Sequence, residues 1–553
     1  MHQPEYRDLH SGEYCLPWTY LHAIKDYVDM VAHLEAVPAA RAVVNFAPVL
    51  LDQIEDYSEQ LQGHLDYGYA LRDPLLRALA EPVIDKNPEK RLSLLSDCLR
   101  ANEQRLINRF ADFKKLVIIA KAILLAPEMI AYYSDQFFAD LLLWYHLAWI
   151  AETVRRNDKR IKALMAKGRM YSEQDRRLLV EIIYELISTL TARYKKLAEE
   201  KRIELSMTPF AHPIVPLLID IESAREAMPD VLLPEVKKYP DGKQRSLWHM
   251  QKGLEIFQRA FGFSPHGCWP SEGCVSGEMI ELLSGCNIRW LASGETVLRN
   301  SLTASEIATG DKIYAAYKYA DNDIACFFRH DGLSDLIGFK YSDWHADDAV
   351  ANLIQNVEKI AESHTDGNES GIVSIILDGE NAWEYYPENA YYFLSALYKK
   401  LSEHETINLT TYSEYLEQFS VTNRLTKMIA GSWVYGTFST WIGEQDKNRA
   451  WDMLADAKKQ YDRVMASGKL SEENREKAEM QLAICEGSDW FWWFGDYNPA
   501  DSVQSFDQQF RMHLGNLYKI LGKKPPKYLS TAFSHGSGSA TVQGVMLPGS
   551  NRA

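Results

Sequence analysis

An almost continuous run of apolar residues occupies positions 371–377, and the acid Asp378 follows it directly. A run of this kind is typical of a strand that is buried on both faces of a parallel sheet. Segments with helical periodicity separate it from comparable short runs at 42–46, 203–207, 288–292, 315–319 and 324–328. This alternation of buried strands with helices predicts an α/β fold built on a parallel, closed sheet.

Two of the predicted strand ends carry a carboxylate beside a tryptophan. Glu272 lies three residues after Trp269 on a turn rich in Gly and Pro, whereas Asp378 and Glu380 precede Trp383. In α/β barrels the chemistry occurs at the carboxyl ends of the strands. Two acids that flank one glycosidic bond are what a glycosidase requires, so the pattern favours carbohydrate chemistry. The turn around Glu272, taken alone, is equally compatible with a core tryptophan and a solvated glutamate.

The composition limits the partners and the compartment that we expect. The formal charge of −16 argues against binding to nucleic acid or to an anionic membrane. The longest apolar candidate, residues 141–151, is too short to span a bilayer, and the polar first residues indicate no signal peptide. Seven scattered cysteines without a C-x-x-C pair favour reduced thiols. We therefore expect a cytoplasmic protein, and the sequence does not indicate its oligomeric state.

Changes in pattern divide the chain into three predicted parts. Residues 1–420 form a catalytic barrel domain, and the stretch at about 73–202, which has no strand signal, is a helical insertion in it. Trp149 in this insertion is expected to be a core residue. Residues 421–526 form a C-terminal helical domain that contributes aromatic loops to the cleft. Residues 527–553, which are rich in Ser and Gly, are predicted to be a disordered tail.

Further candidates for substrate binding lie at other strand ends and in the aromatic loops. The 14 Trp and 30 Tyr residues exceed what packing requires and favour contact with carbohydrate. The aromatic segments 431–441 and 489–493 either line a sugar cleft or pack the C-terminal domain against the barrel. The candidates in these places are His212, Arg329, Asp335, Trp433, Trp441, Asp489 and Trp490.

Five short motifs, in order along the chain, resemble those of glycoside hydrolase family 57. They are His2-Gln3-Pro4 with Tyr6, residues 209–218 with His212, Trp269-Pro270-Ser271-Glu272, residues 378–383, and the aromatic segments 431–441 and 489–493, which resemble the α-amylase/α-mannosidase branch. The resemblance implies that Glu272 is the nucleophile and Asp378 the general acid/base of a retaining enzyme. It also implies that His2 and Gln3 belong to the substrate site.

The same resemblance implies an incomplete (β/α)7 barrel with a C-terminal helical domain and no required cofactor. The substrate that it implies is an α-1,4-glucan, which is either hydrolysed or transferred to another acceptor. Members of the family have a strand that ends in a histidine two places before the residue that corresponds to His2. The present sequence begins after that point, so His2 is expected to lie on an untethered segment.

Two other interpretations remain open at this stage. A metal-dependent carbohydrate enzyme, such as an α-mannosidase or a deacetylase, would use His2, His212, Asp378 and Glu380 as ligands. A protein that binds glucan without turning it over is the second alternative, because one strand of the expected barrel is missing from the sequence.

Overall fold

A five-stranded parallel sheet lies at the centre of the computed structural model, which describes residues 1–308, 310–363 and 371–538. The strands are β1 (Ala42–Phe46), β2 (Ile203–Met207), β3 (Gly267–Cys268), β4 (Trp290–Ser293), β5 (Lys318–Tyr319), β6 (Ala325–Phe328) and β7 (Arg424–Leu425). The central sheet has the order β1-β2-β3-β4-β6, while β5 and β7 form a separate parallel pair. Strands of the central sheet therefore lie in chain order, which confirms the predicted α/β fold with a parallel sheet.

Helices connect the strands and cover the sheet. Local signals set their limits: the helix Pro48–Tyr67 begins with proline at its first position and ends at Gly68, whose φ is 74°. Among the described residues, no helix combines the length and the apolar composition that crossing a membrane requires. The other helices around the sheet are Trp18–His22, Val28–Ala36, Val215–Ile219, Ala224–Ala227, Gly242–Phe261, Gly277–Ser284, Glu295–Ala304, Asp331–Phe339, Ala346–Ser363, Tyr391–Ser402 and Tyr412–Gln418.

The apolar run at 371–377 is not the strand that its composition predicts. Only Ser374 makes a parallel bridge, to Arg329 at the end of β6. Side chains bind the backbone groups that a ladder would use: Arg329 Nε donates to Ile376 O at 3.0 Å, and Ile376 N donates to Ser334 Oγ at 3.2 Å. The strand predicted at 315–319 is also shorter, since only β5 forms, and it pairs outside the central sheet.

The stretch 73–202, all of which the structure describes, is helical and contains no strand, as predicted. Side-chain caps begin four of its α-helices, at Asp73, Asn87, Asp158 and Ser172. Ser172 forms a capping box with Asp175. Its α-helices are Pro74–Ala80, Pro88–Cys98, Ala111–Leu125, Asp135–Trp149, Glu152–Asn157, Lys159–Lys167 and Glu173–Glu199.

The C-terminal part consists of the helices Gln445–Ala466, Glu472–Cys485, Asp489–Trp493 and Ala500–Ile520. The tail predicted from residue 527 is wrong for residues 527–538, which pack on this part. Phe533 N donates to Asp507 Oδ1 at 3.2 Å, and the Phe533 ring packs edge-on against Phe494 with centroids 4.9 Å apart. Apolar side chains among the Ser and Gly residues thus hold the segment, and residues 539–553 lie outside the described residues.

Gly294, directly after β4, permits a close approach of the C-terminal half to the edge of the sheet. A Cβ atom at this position would lie 2.6 Å from the Cα of Trp433 and 3.2 Å from Ser432 O. Backbone atoms cannot be that close to a Cβ, so any larger residue must displace the segment that carries Trp433.

We expect Gly294→Ala to lower the free energy of unfolding by about 1–3 kcal/mol, the usual range for an overpacked interior. The matched control is Gly515→Ala in the helix Ala500–Ile520, where a Cβ meets nothing within 4 Å. That change should instead stabilise by about 0.5–1 kcal/mol, because glycine is unfavourable within a helix. Urea denaturation followed by circular dichroism measures both, and equal stability of Gly294→Ala and wild type would refute the close approach.

Candidate active site

Glu272 lies on the turn after β3, in a backbone conformation that few residues adopt. Its φ of 56° is in the left-handed region, where a non-glycine residue is strained unless its surroundings hold it. Two hydrogen bonds from Trp433 do so: the backbone N donates to Glu272 O at 3.1 Å, and Nε1 donates to Oε2 at 2.9 Å. The structure therefore fixes both the backbone and the carboxylate of Glu272 through one distant residue.

The surroundings of Glu272 raise the pKa of its carboxyl to about 7. Burial is the largest cause, because it disfavours the charged form, and the nearby charges of Asp378 and Asp489 act in the same direction. The positive charge of His2 and the N–H of Trp433 act in the opposite direction and favour the carboxylate. Glu272 is thus poised to change its charge near neutral pH.

Asp378 and Glu380 line the same cavity of about 370 Å³ as Glu272. Asn381 Nδ2 donates a hydrogen bond to Asp378 Oδ2 at 3.2 Å and orients its carboxylate. Glu380 is almost fully buried, and its Oε1 accepts from His2 N at 3.3 Å and from Gln3 Nε2 at 3.4 Å. Burial raises the pKa of Glu380, and the charge of Asp378 adds to this.

His2 is firmly held, contrary to the expectation of an untethered segment. Its Nε2 contacts Asp489 Oδ1 at 2.8 Å, and its ring stacks on His212 with centroids 4.0 Å apart. His212, which has a φ of 58°, bonds through Nδ1 to Ser488 Oγ at 2.8 Å. Residues from the first motif, from the loop after β2 and from the C-terminal part therefore meet at one side of the cavity.

The two stacked rings differ in protonation. Burial alone would lower the pKa of His2, but Asp489, with smaller contributions from Glu272 and Glu380, raises it to about 10. Burial and the charge of His2 hold the pKa of His212 well below its usual range. The pair therefore places an imidazolium on His2 and a neutral imidazole on His212.

Arg329 contributes a second cation to the cavity. Its guanidinium lies 5.2 Å from the ring centroid of Trp433 and forms ion pairs with Asp331 at 2.9 Å and Asp335 at 2.7 Å. Asp335 thus binds Arg329 and does not itself line the cavity. Trp269 does not line the cavity either, and its ring packs edge-on against Trp433 with centroids 5.2 Å apart.

Three predicted substrate contacts are buried in the core instead. Trp383 packs against Tyr386 within the cluster beside the sheet, while Trp441 and Trp490 are 0% and 1% exposed among the C-terminal helices. None of the three lines the cavity, because their indole rings fill spaces between helices. Eight predicted residues do line it: His2, Gln3, Glu272, Arg329, Asp378, Glu380, Trp433 and Asp489.

The cavity has two further walls, and the sequence analysis missed the first of them. One wall joins the first helix to the helical insertion, and there Trp18 and Trp149 lie with ring centroids 5.9 Å apart. The other comes from the C-terminal part and includes Trp492, which belongs to the aromatic segment 489–493 that was predicted to contribute to the cleft. The remaining lining residues that were not predicted include His22, Arg100, Asn102, Phe339, Glu384, Trp493 and Phe506.

The metal ligand set considered above does not assemble. In the described residues, His2 and His212 gather with Asp489, with ligand atoms within 4.8 Å of one another, and not with Asp378 and Glu380. A second group, His22, Asp26 and Glu384, contains a carboxylate that already binds the Lys25 ammonium at 2.6 Å.

Comparison with solved structures found similar folds at low sequence identity. The GH57-type branching enzyme of the archaeon Pyrococcus horikoshii is similar with a TM-score of 0.56 and 15% identity, over 99% of this chain and 97% of that chain. The α-amylase AmyC of Thermotoga maritima gives 0.56 and 12%, over 94% and 92%. A GH57 branching enzyme of Thermococcus kodakaraensis gives 0.55 and 13%, over 94% and 88%. These similarities establish a shared fold.

The family itself follows from the sequence match. No match was found among curated proteins. The model of a family described as Glycosyl hydrolase family 57 matches residues 1–428, which include the motifs around His2, Glu272 and Asp378. Since this match covers most of the chain, the protein belongs to glycosyl hydrolase family 57.

Proposed function

We propose that the protein acts on α-1,4-glucans by a retaining mechanism in which Glu272 is the nucleophile and Asp378 the general acid/base. The observation that carries this proposal is that both carboxylates line one cavity with flat aromatic side chains. A glucan substrate is further supported by the family and by the shared fold with branching enzymes and an α-amylase.

The reaction would proceed in two displacements. A carboxylate oxygen of Glu272 attacks the anomeric carbon while Asp378 gives its proton to the leaving glycosidic oxygen, so a glycosyl ester of Glu272 forms. Ionised Asp378 then takes a proton from water or from a sugar hydroxyl, whose oxygen attacks the anomeric carbon and releases Glu272. Two inversions retain the configuration, and the identity of the acceptor decides between hydrolysis and transfer.

Two buried carboxylate oxygens of the cavity are suited to bind sugar hydroxyls. Glu380 Oε2 and Asp489 Oδ2 have no hydrogen-bond partner within the part of the chain that the structure describes. A buried acceptor without a donor is unfavourable by about 1–3 kcal/mol. Hydroxyl groups of a bound sugar would satisfy both oxygens, so binding would remove this cost.

The incomplete (β/α)7 barrel of the family is part of the proposal. Segments continue the sheet beyond both of its outer strands: Ser374 bridges Arg329 next to β6, while Met1 O accepts from Ala47 N at 3.0 Å next to β1. These segments also approach each other, because a Cβ on Gly379 would lie 2.6 Å from Met1 Cγ. We infer that they close the sheet around the cavity.

Incubation with maltoheptaose and analysis of the products tests the activity. Shorter oligosaccharides alone would indicate hydrolysis, and longer ones in addition would indicate transfer. Turnover should continue in the presence of EDTA, because neither displacement uses a metal. Binding of the oligosaccharide without any product would instead establish the non-catalytic alternative and refute the proposal.

Glu272→Ala should remove almost all turnover while glucan binding remains. Added azide should then restore cleavage of a substrate with a good leaving group and give a product of inverted configuration, because azide occupies the position of the lost carboxylate. The matched control is Glu278→Ala, at an exposed position six residues later, which should keep wild-type rates. Full activity of Glu272→Ala in the same assay would exclude Glu272 as the nucleophile.

The pH dependence of kcat/KM should report the ionisation of Glu272. Since the nucleophile must be ionised and its pKa is about 7, kcat/KM should fall as the pH decreases through about 7. His2→Gln removes a positive charge that lowers the pKa of Glu272, so the acidic limb should move to higher pH. The control His10→Gln, at an exposed position, should leave the limb in place. A limb that His2→Gln moves to lower pH, or does not move, would contradict this account.

A further inference from the structure

Lys447 is a completely buried cation that lies close to the cavity but does not line it. Near the start of the helix Gln445–Ala466, its Nζ donates to Thr440 O at 2.6 Å, to Phe491 O at 2.5 Å and to Trp492 O at 3.5 Å. An ammonium group has three N–H donors, so three backbone carbonyls satisfy it.

The three carbonyls belong to two different segments that both reach the active site. Thr440 lies in the segment 431–443, in which Trp433 donates to the carboxylate of Glu272. Phe491 and Trp492 lie in the short helix Asp489–Trp493, whose first residue binds His2. One ammonium group thus joins the two segments whose side chains control the charge of Glu272.

Hydrogen bonds from two neighbouring side chains each reach only one of these segments. Trp451 Nε1 donates to Trp441 O at 3.0 Å, on the first segment. Asn498 Nδ2 donates to the carbonyls of Trp492 and Trp493, at 3.1 and 3.0 Å, on the second. Ring contacts also link the segments, since Trp451 stacks on Phe491 at 4.7 Å and Trp441 lies 6.0 Å from Trp492. Among the hydrogen bonds named here, those of Lys447 alone reach both segments, so they fix the relative position of the two backbones.

A buried lysine is a poor choice if stability alone is required. Burial lowers the pKa of Lys447 to about 7, because desolvation disfavours its charged form. Buried ionic groups can often be replaced by apolar residues of similar volume with little loss of stability. A role in geometry explains the cation better than a role in stability.

We propose that Lys447 is a positioning residue of the active site, which holds Trp433 and Asp489 in register so that Glu272 stays aligned and ionised. The inference rests on the proposed role of Glu272 as nucleophile, and it goes beyond it because Lys447 lies outside the cavity. Without the ammonium, the hydrogen bonds that join the two backbones are lost, so we expect the segments to shift relative to each other. Such a shift would weaken the Trp433 N–H bond and the nearby charge of His2, both of which favour the carboxylate of Glu272.

The test compares Lys447→Met with Lys458→Met. Lys458 is a second buried lysine of the same helix, but its ammonium binds Asp241 and Asp462, away from the cavity. Lys447→Met should lower kcat/KM by about 10²-fold, as expected for a misplacement of about 1 Å, and should move the acidic limb to higher pH. Lys458→Met should change the melting temperature but leave the limb at its wild-type position.

A readout without substrate separates this inference from the proposed function. The titration of Glu272 can be followed by infrared difference spectra between each protein and the same protein carrying Glu272→Gln. Lys447→Met should raise the midpoint of this titration whether or not the wild type turns over α-glucan. An absence of turnover by the wild type would refute only the proposed function.

A second variant covers the case in which Lys447→Met does not fold. Lys447→Gln keeps N–H donors on a shorter side chain, so it should give a smaller upward shift of the midpoint and the limb. A folded variant at position 447 whose midpoint matches the wild type, or an equal shift in Lys458→Met, would overturn the role proposed for Lys447.

Discussion

The hydrogen bond of 2.9 Å from Trp433 Nε1 to Glu272 is the interaction on which the arrangement of the site depends. A buried carboxylate without a donor or a nearby cation takes up a proton, and it is then no nucleophile. The donor is 161 residues away in the sequence, so the C-terminal half must lie directly on the edge of the sheet. The space left by Gly294 allows this contact, and the ammonium of Lys447 holds the segment that makes it. The packing of the segment that carries Trp433 therefore influences the charge of Glu272.

The pattern of apolar residues predicts a strand correctly where burial alone decides the structure of the segment. The strands at 42–46 and 203–207 form with their predicted bounds, because each is a short apolar run that must be buried between helices. The run at 371–377 has the same composition but remains irregular, since Arg329 and Ser334 bind the backbone groups of Ile376. Whether a backbone group finds a strand or a side chain depends on partners distant in the sequence, and a local pattern does not contain that information.

The residues of the site likewise fall into those that the sequence predicts and those that depend on tertiary contacts. Acids that directly follow a strand, such as Glu272, could be placed at the cavity from sequence, because the carboxyl ends of parallel strands share one edge. The aromatic residues could not, since a tryptophan on an apolar helix face has the same pattern in a core and in a cavity wall. Trp149 is a core residue, as expected, but it also lines the cavity. Trp433 was expected at the cavity and lines it, whereas Trp441 and Trp490 were expected there and are buried away from it. Tertiary contacts alone decide between the two.

The stacked histidines show how the fold distributes charge around these acids. Two imidazolium rings 4.0 Å apart would repel each other, so the pair holds one proton, and the contact of His2 with Asp489 determines where it resides. The pKa of His2 is raised from 6.5 to about 10, so this proton stabilises the folded state fully below pH 6.5, and its contribution declines as the pH rises from 6.5 to about 10. Glu272 changes charge near 7, inside that window. Because His2 stays charged in the folded state below about pH 10, the cation beside Glu272 is constant over the pH range in which Glu272 itself ionises.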